Sequence, residues 1–309
     1  MRLLHQFLNY FHYQILLAVA THTYAMPDGH PASGGLTPED AAIETLHIGL
    51  HHLCETVELA FLKNVYGGLL LSAGGLLALV LATGFPDFDS SPGLSRLLQG
   101  TAFPVGLIVV YFLGAELFTG YPMWLAMTAL DRKGFAFEYF RSTLAALAGN
   151  FVGAVWWAGL QSYFTETLTE EPWRSRIIEQ VDSDITDNKW HVIFLRALGC
   201  GFLVTIAMLL GTQNRDGISK ALGLHLPFVI STVAKFPHTV EYMYLGTTGM
   251  MLGARLTMGQ FFWKCMLPII LGNSMGGAFT GAYNYWVFIR RADDKERTNN
   301  RNWLSDDAE

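Results

Sequence analysis

Charge and cysteine are what this chain has least of. Only 15% of its 309 residues are charged, against about 25% in ordinary soluble domains, while 51% are hydrophobic. That balance excludes a conventional water-soluble domain. The three cysteines, Cys54, Cys200 and Cys265, are odd in number and widely spaced. They exclude a disulfide framework and a cysteine-based zinc site. No extended basic stretch occurs, so the electrostatic footprint of a nucleic-acid binder is missing. No nucleophile–base set and no nucleotide-binding glycine motif is visible, so neither enzyme chemistry nor a cofactor is implied. The net charge of −6 is a poor guide, because the charges gather in a few polar segments.

What fills the chain instead is apolar runs, with frequent glycine and 13% aromatic residues. Val65–Gly84 carries no charge and is long enough to span a bilayer. Thr101–Leu130 is too long for one simple span and is interrupted by Glu116 within GAELFTGYP. Ser142–Phe164, Val192–Thr212 and Cys265–Ile289 read as further spans. The run Ala221–Gly253 is again too long. As straight helix it would reach about 50 Å, against a hydrocarbon core of roughly 30 Å. Lys235, Pro237, His238 and Glu241 crowd its centre. Two half-helices joined by an irregular loop at membrane depth fit better. Such a loop is tolerated where it lines a cavity, and ionisable groups there mark a substrate or ion pathway. His238 is therefore the central candidate. The bland reading is a kinked helix whose histidine bonds a neighbouring helix.

The expectation is an all-α polytopic membrane protein with six transmembrane helices, the second and fifth broken. Its parts are residues 1–63 (amphipathic and linker), 64–290 (the transmembrane domain) and 291–309 (a charged tail). The first 25 residues read either as a signal peptide or as a helix lying on the membrane, the second being preferred. Met26–Thr37 is a linker, Pro38–Lys63 one amphipathic helix, Phe85–Ser95 a turn, and Thr165–Lys189 a polar, acidic connection. Arg132, Lys133 and Arg141, with Arg290 and Arg291, place both termini in the cytoplasm. A plasma membrane is the default location. His47, His51 and His52 with Glu55 have the helical spacing for a metal site. No further ligand is identifiable, so a solvated helix face is preferred and no metal is expected.

The halves echo each other. ELFTG is followed by Gly149–Asn150, and FPHTVEY by Gly272–Asn273. With three spans in each half the topologies are opposite, which is the inverted 3+3 repeat that brings two interrupted segments to one midplane site. Asn150 and Asn273 read as packing or loop-capping residues.

At these residues the chain resembles the formate/nitrite transporter family. GAELFTG (Gly114–Gly120), GNFVGA (149–154), LPIILGNSMGG (267–277) and the spacing of Lys220, Pro227 and His238 carry the likeness. The resemblance implies an aquaporin-like protomer, a homopentamer and transport of small monovalent weak-acid anions such as formate, nitrite or lactate, with protons as the second partner. It implies a pathway of Lys220, Phe103, Leu117, Phe118, Phe236, His238 and Thr119. Lys220 would attract anions and the apolar side chains would form constrictions. His238 would supply or relay a proton, with Thr119 bonding it or the substrate. Glu116 would cap a half-helix, and Lys235 would either add attraction for anions or pair with Glu241. The departures are Tyr121 after LFTG, Lys235 for a small glycine, Pro237 for an acid, and Tyr242 for an asparagine. The alternative they raise is a non-transporting membrane sensor or assembly subunit with a degenerated pore.

Overall fold

A computed structural model describes residues 35–85 and 90–291. The readings for residues 1–25 and for the tail beyond residue 291 lie outside the described residues. Those described form an all-helical fold without strands.

Helix α1 (Pro38–Cys54) starts where the Thr37 hydroxyl accepts from the Asp40 amide, with Pro38 in the first turn and Glu39 and Asp40 facing the helix dipole. It stops at Glu55, whose backbone is extended. Thr56 then caps a new helix, α2 (Val57–Thr83). The single helix expected over Pro38–Lys63 is therefore two, because Thr56 accepts the Leu59 amide instead of continuing α1. Helix α3 (Pro92–Ala102) begins inside the stretch expected to be a turn, and α4 (Pro104–Phe112) follows after Phe103. Helix α5 (Tyr121–Leu130) comes after an irregular segment and one 3-10 turn. Helix α6 (Ala136–Trp156) runs on as π-helix to Tyr163. The acidic connection is not plain loop: it holds α7 (Trp173–Val181) and a π-helical turn, Asp182–Thr186. Then come α8 (Trp190–Gln213), α9 (Gly217–Val233), α10 (Thr239–Leu252) and α11 (Leu267–Asn284).

Among the described residues, four helical stretches are long and apolar enough to cross a membrane: Val57–Thr83, Pro92–Phe112, Ala136–Tyr163 and Trp190–Gln213. Gly217–Val233 is a shorter apolar helix.

Two pairs of helices pack backbone to backbone, α2 on α6 and α8 on α11. Glycine makes this possible. A Cβ at Gly153 would sit 2.3 Å from the Val65 carbonyl oxygen, and one at Gly276 would sit 2.2 Å from that of Leu198. Small residues at such crossings allow close van der Waals packing where the hydrophobic effect gives helices no reason to meet.

Two irregular segments lie between these pairs, and their backbones match residue for residue. Helix α4 ends with Gly114 at φ +66° and α9 with Lys235 at φ +56°. Gly114 N–H donates to Tyr111 O and Ala115 N–H to Val110 O. Lys235 N–H donates to Thr232 O and Phe236 N–H to Ser231 O. Both are Schellman closures, which need a left-handed residue at this position. Leu117 and His238 are each extended and each precede a new helical turn. The register sets Gly114 against Lys235, Glu116 against Pro237, Leu117 against His238 and Phe118 against Thr239.

Candidate functional site

One asparagine holds each irregular segment. Asn150 of α6 accepts the Phe118 amide (2.7 Å) and donates to the carbonyls of Glu116 (3.1 Å) and Asn64 (2.7 Å). Asn273 of α11 accepts the Thr239 amide (2.8 Å) and hydroxyl (2.7 Å) and donates to the carbonyls of Pro237 (3.1 Å) and Ala197 (2.7 Å). Both asparagines are fully buried. Buried backbone groups in a non-helical segment need partners, and a carboxamide offers an acceptor and two donors from one side chain.

His238 sits where the two segments meet. It is wholly buried and caps α10, its Nδ1 accepting the Glu241 amide at 3.4 Å. Nε2 lies 2.8 Å from Thr119 Oγ1, and Thr119 is also wholly buried. Since Nδ1 accepts, the neutral imidazole carries its proton on Nε2 and donates it to Thr119. The threonine hydroxyl proton is then available to a further acceptor. Phe228 packs against the imidazole at a ring separation of 5.3 Å, Phe103 at 6.4 Å, and the two phenyl rings are 5.0 Å apart. The result is a buried aromatic box with a short polar chain on one wall.

Sequence and structure differ on several of the other candidates. Phe236 packs against α8 instead, its ring so near Gly199 that a Cβ there would meet it at 2.6 Å. Phe228, which follows Pro227, supplies the second ring on His238. Leu117 and Phe118 are buried in the first segment. The Glu116 carboxylate caps no backbone amide. It takes Lys63 Nζ (2.9 Å), Tyr121 OH (2.6 Å) and Asn64 Nδ2 (3.4 Å), because the extended Leu117 turns it away from the start of α5. Capping of Phe118 falls to Asn150. Lys235 pairs with Asp184 of the acidic connection (2.9 Å), not with Glu241, because that connection folds over the end of α9. Tyr121 and Tyr242 are buried. His52 and Glu55 do not form a solvated face. The residues are 5% and 7% exposed, with His52 stacked on Trp124 at 4.4 Å.

Two basic clusters flank the box. Lys220, in the first turn of α9, lies 5.4 Å over the Tyr111 ring. Phe228 is eight residues further along α9, a rise of about 12 Å. At the other end of α9, Arg96, Arg176 and Lys235 line a cleft of about 240 Å³ with Gln99 and Glu179. Arg96 and Arg176 escaped the sequence reading, since both lie in polar segments whose fold over the site is not visible in a linear pattern.

The sequence profile of the formate/nitrite transporter family matches residues 39–287. The chain belongs to the formate/nitrite transporter family. The match takes in the box, both irregular segments and their asparagines. A probable formate transporter of Methanothermobacter thermautotrophicus is 32% identical over 250 residues, covering 76% of this chain and 88% of the relative. Two other relatives are longer proteins, of which this chain spans 43% and 50%. Among solved structures, an FNT family ion channel aligns with a TM-score of 0.70 over 81% of this chain and 97% of its own, at 20% identity. A pentameric formate channel with formate bound gives 0.64 over 75% and 96%, at 22% identity. At those identities the likeness concerns the fold. The family is one of transporters and channels, which agrees with a non-enzymatic role.

Proposed function

We propose that this formate/nitrite transporter family member carries formate or a similar small monovalent anion across a membrane, proton-linked, through the box around His238. The observation that carries the reading is the buried Nε2–H to Thr119 to hydroxyl-proton chain, walled by Phe103 and Phe228. A bare carboxylate in such an enclosure loses its hydration at prohibitive cost, so the box admits the ion only as its neutral acid. Lys220 on one side and Arg96 and Arg176 on the other raise the local anion concentration, while Lys235 is paired with Asp184.

The Nδ1 contact, at 3.4 Å, is the weaker of the two that His238 makes. A proton taken from hydronium at Nδ1, once the Glu241 N–H contact has opened, gives an imidazolium and leaves water. Its Nε2 proton passes to Thr119 Oγ1 as the Thr119 hydroxyl proton passes to the anion. A neutral imidazole and a neutral acid result, and the acid crosses the phenyl contact. Protons and charge balance at each step.

The same reading makes α3–α5 and α9–α10 the broken second and fifth spans of a six-span inverted repeat. The shared register of the two asparagine-held segments supports it. Both termini in the cytoplasm accord with the positive residues near the spans, and a plasma membrane is the default location. The aligned formate channel is pentameric, and a homopentamer of this chain is part of the proposal.

The test is uptake of labelled formate into liposomes across pH 5.5 to 7.5, with His238→Asn beside the parent protein. Uptake that rises on acidification and is lost in the variant supports the proposal. Equal uptake by a folded variant removes His238 from the pathway.

A further inference from the structure

A second polar cluster lies beside the first irregular segment. His52 Nδ1 is 3.5 Å from Glu116 Oε2 and 3.7 Å from Glu55 Oε2. The three ligand-type atoms lie within 4.8 Å of one another, and the side chains are 6%, 8% and 1% exposed. Lys63 Nζ touches Glu55 Oε1 at 2.5 Å and Glu116 Oε1 at 2.9 Å. Among the described residues His52 Nδ1 and Glu55 Oε2 make no hydrogen bond, while Glu55 Oε1 has its ion pair with Lys63. Arg141 directs its guanidinium to the backbone carbonyls of Leu53 and Glu55.

The charges do not cancel. Among the side chains in direct contact, two carboxylates and one ammonium leave one negative charge, since the Arg141 guanidinium is spent on backbone carbonyls and pairs with neither carboxylate. The geometry says what fits. A tetrahedral ion with bonds of about 2.0–2.1 Å sets its ligand atoms about 3.3–3.4 Å apart. The two measured histidine–carboxylate separations are close to that edge. One imidazole nitrogen and two carboxylate oxygens form a donor set suited to zinc and its first-row neighbours. Trp124 stacked on His52 fixes the ring, and Tyr121 and Asn64 fix Glu116. Such outer contacts orient the ligands of a metal site. Lys63 is 27% exposed, so its ammonium has a way out to solvent and the ion a way in.

We propose that His52, Glu55 and Glu116 form a binding site for a divalent cation of the zinc class, the ion displacing the Lys63 ammonium and tying α1 to the segment before Thr119. The proposal stands apart from the transport reading, since its test reads metal and not flux.

The test uses full-length, untagged protein in detergent, stripped with chelator and titrated with Co²⁺, then with Zn²⁺ by equilibrium dialysis. The expected result is one ion per chain with the d–d spectrum of a four-coordinate site. His52→Ala should weaken binding at least about 10–100-fold, the range that even supporting residues command. Glu55→Gln should do the same, while a His47→Ala, His51→Ala double variant retains the site. Lys63→Met should tighten binding, since it removes the competing cation. Should Glu55→Gln fail to fold, His52→Gln and Lys63→Met still decide the matter. Binding unchanged in His52→Ala, or weakened in Lys63→Met, would overturn the proposal. So would no binding by folded parent protein, which would leave a proton on His52 as the compensating charge.

Discussion

Replacing Asn273 by alanine tests the architecture on which the site rests. The change removes four hydrogen bonds at once. Ala197 O lies inside α8 and keeps its place in the helix ladder, so its loss is minor. The Thr239 amide is different. It is a first-turn donor with no partner inside its own helix. The Pro237 carbonyl lies in the irregular segment, where Asn273 Nδ2 is its hydrogen-bond donor. Orphaning these two buried groups costs about 1–3 kcal/mol each, so roughly 2–6 kcal/mol in all. Against a total stability of about 5–15 kcal/mol, that is a large fraction. Asn273→Asp should be no better, because it turns an anionic oxygen toward two carbonyls. Asn150→Ala should cost about the same as Asn273→Ala, within about 1 kcal/mol, because it strands the Phe118 amide and the Glu116 carbonyl in the matching register. The assay is the thermal midpoint of purified protein in detergent, followed by formate uptake for any variant that survives. An unchanged midpoint in Asn273→Ala would refute the reasoning. So would a large loss in one asparagine variant and none in the other.

Other expectations follow from single contacts. His238→Asn keeps a good helix-capping side chain while removing the ring, so its thermal midpoint should stay near the parent's while uptake is lost; His238→Ala should lose about 1 kcal/mol more through the missing cap, read as a lower midpoint. Thr119→Val strands Nε2–H at a cost of about 1–3 kcal/mol and should abolish the acid stimulation of uptake, whereas Thr119→Ser should keep it. Lys235→Gly relieves a left-handed backbone but abandons buried Asp184. It should lower the midpoint in the parent. In an Asp184→Asn background it should raise stability by about 0.5–1 kcal/mol, the left-handed relief less the extra freedom glycine has when unfolded. Gly67→Ala would put a Cβ 1.9 Å from the Glu116 carbonyl oxygen and should yield no folded protein, while Gly93→Ala, with nothing within 4 Å, should be neutral in the same expression and midpoint assays.

Much of the site was legible because its chemistry is out of place in an apolar run. His238 and Thr119 stand out from their surroundings, and the over-long stretches around them announce a break by length alone. The two asparagines were visible as partners of those breaks, though not which amide or carbonyl each would hold. What the sequence hid was contact between distant segments. Glu116 completes a cluster with His52 and Glu55 that no helical spacing on α1 can reveal. Asp184 claims Lys235 because the acidic connection folds over the end of α9, and a reading confined to the apolar stretch offered Glu241 instead. Phe228 and Phe236 are equally aromatic on paper; Phe228 meets the imidazole from within α9, whereas the Schellman closure that follows sends Phe236 toward Gly199. The split of Pro38–Lys63 turned on one hydroxyl, that of Thr56, capping a fresh helix.

The matching of Leu117 with His238 has a consequence of its own. The scaffold provides two equivalent seats, each extended, each pinned by an asparagine, each opening a helix. One seat holds isobutyl and the other imidazole. At the seat itself handedness in the chemistry thus comes from one unmatched pair, Leu117 against His238, while the backbone frame is even-handed. A lineage that inherited such a frame by doubling a shorter one would gain a first and a last encounter along it by altering that seat.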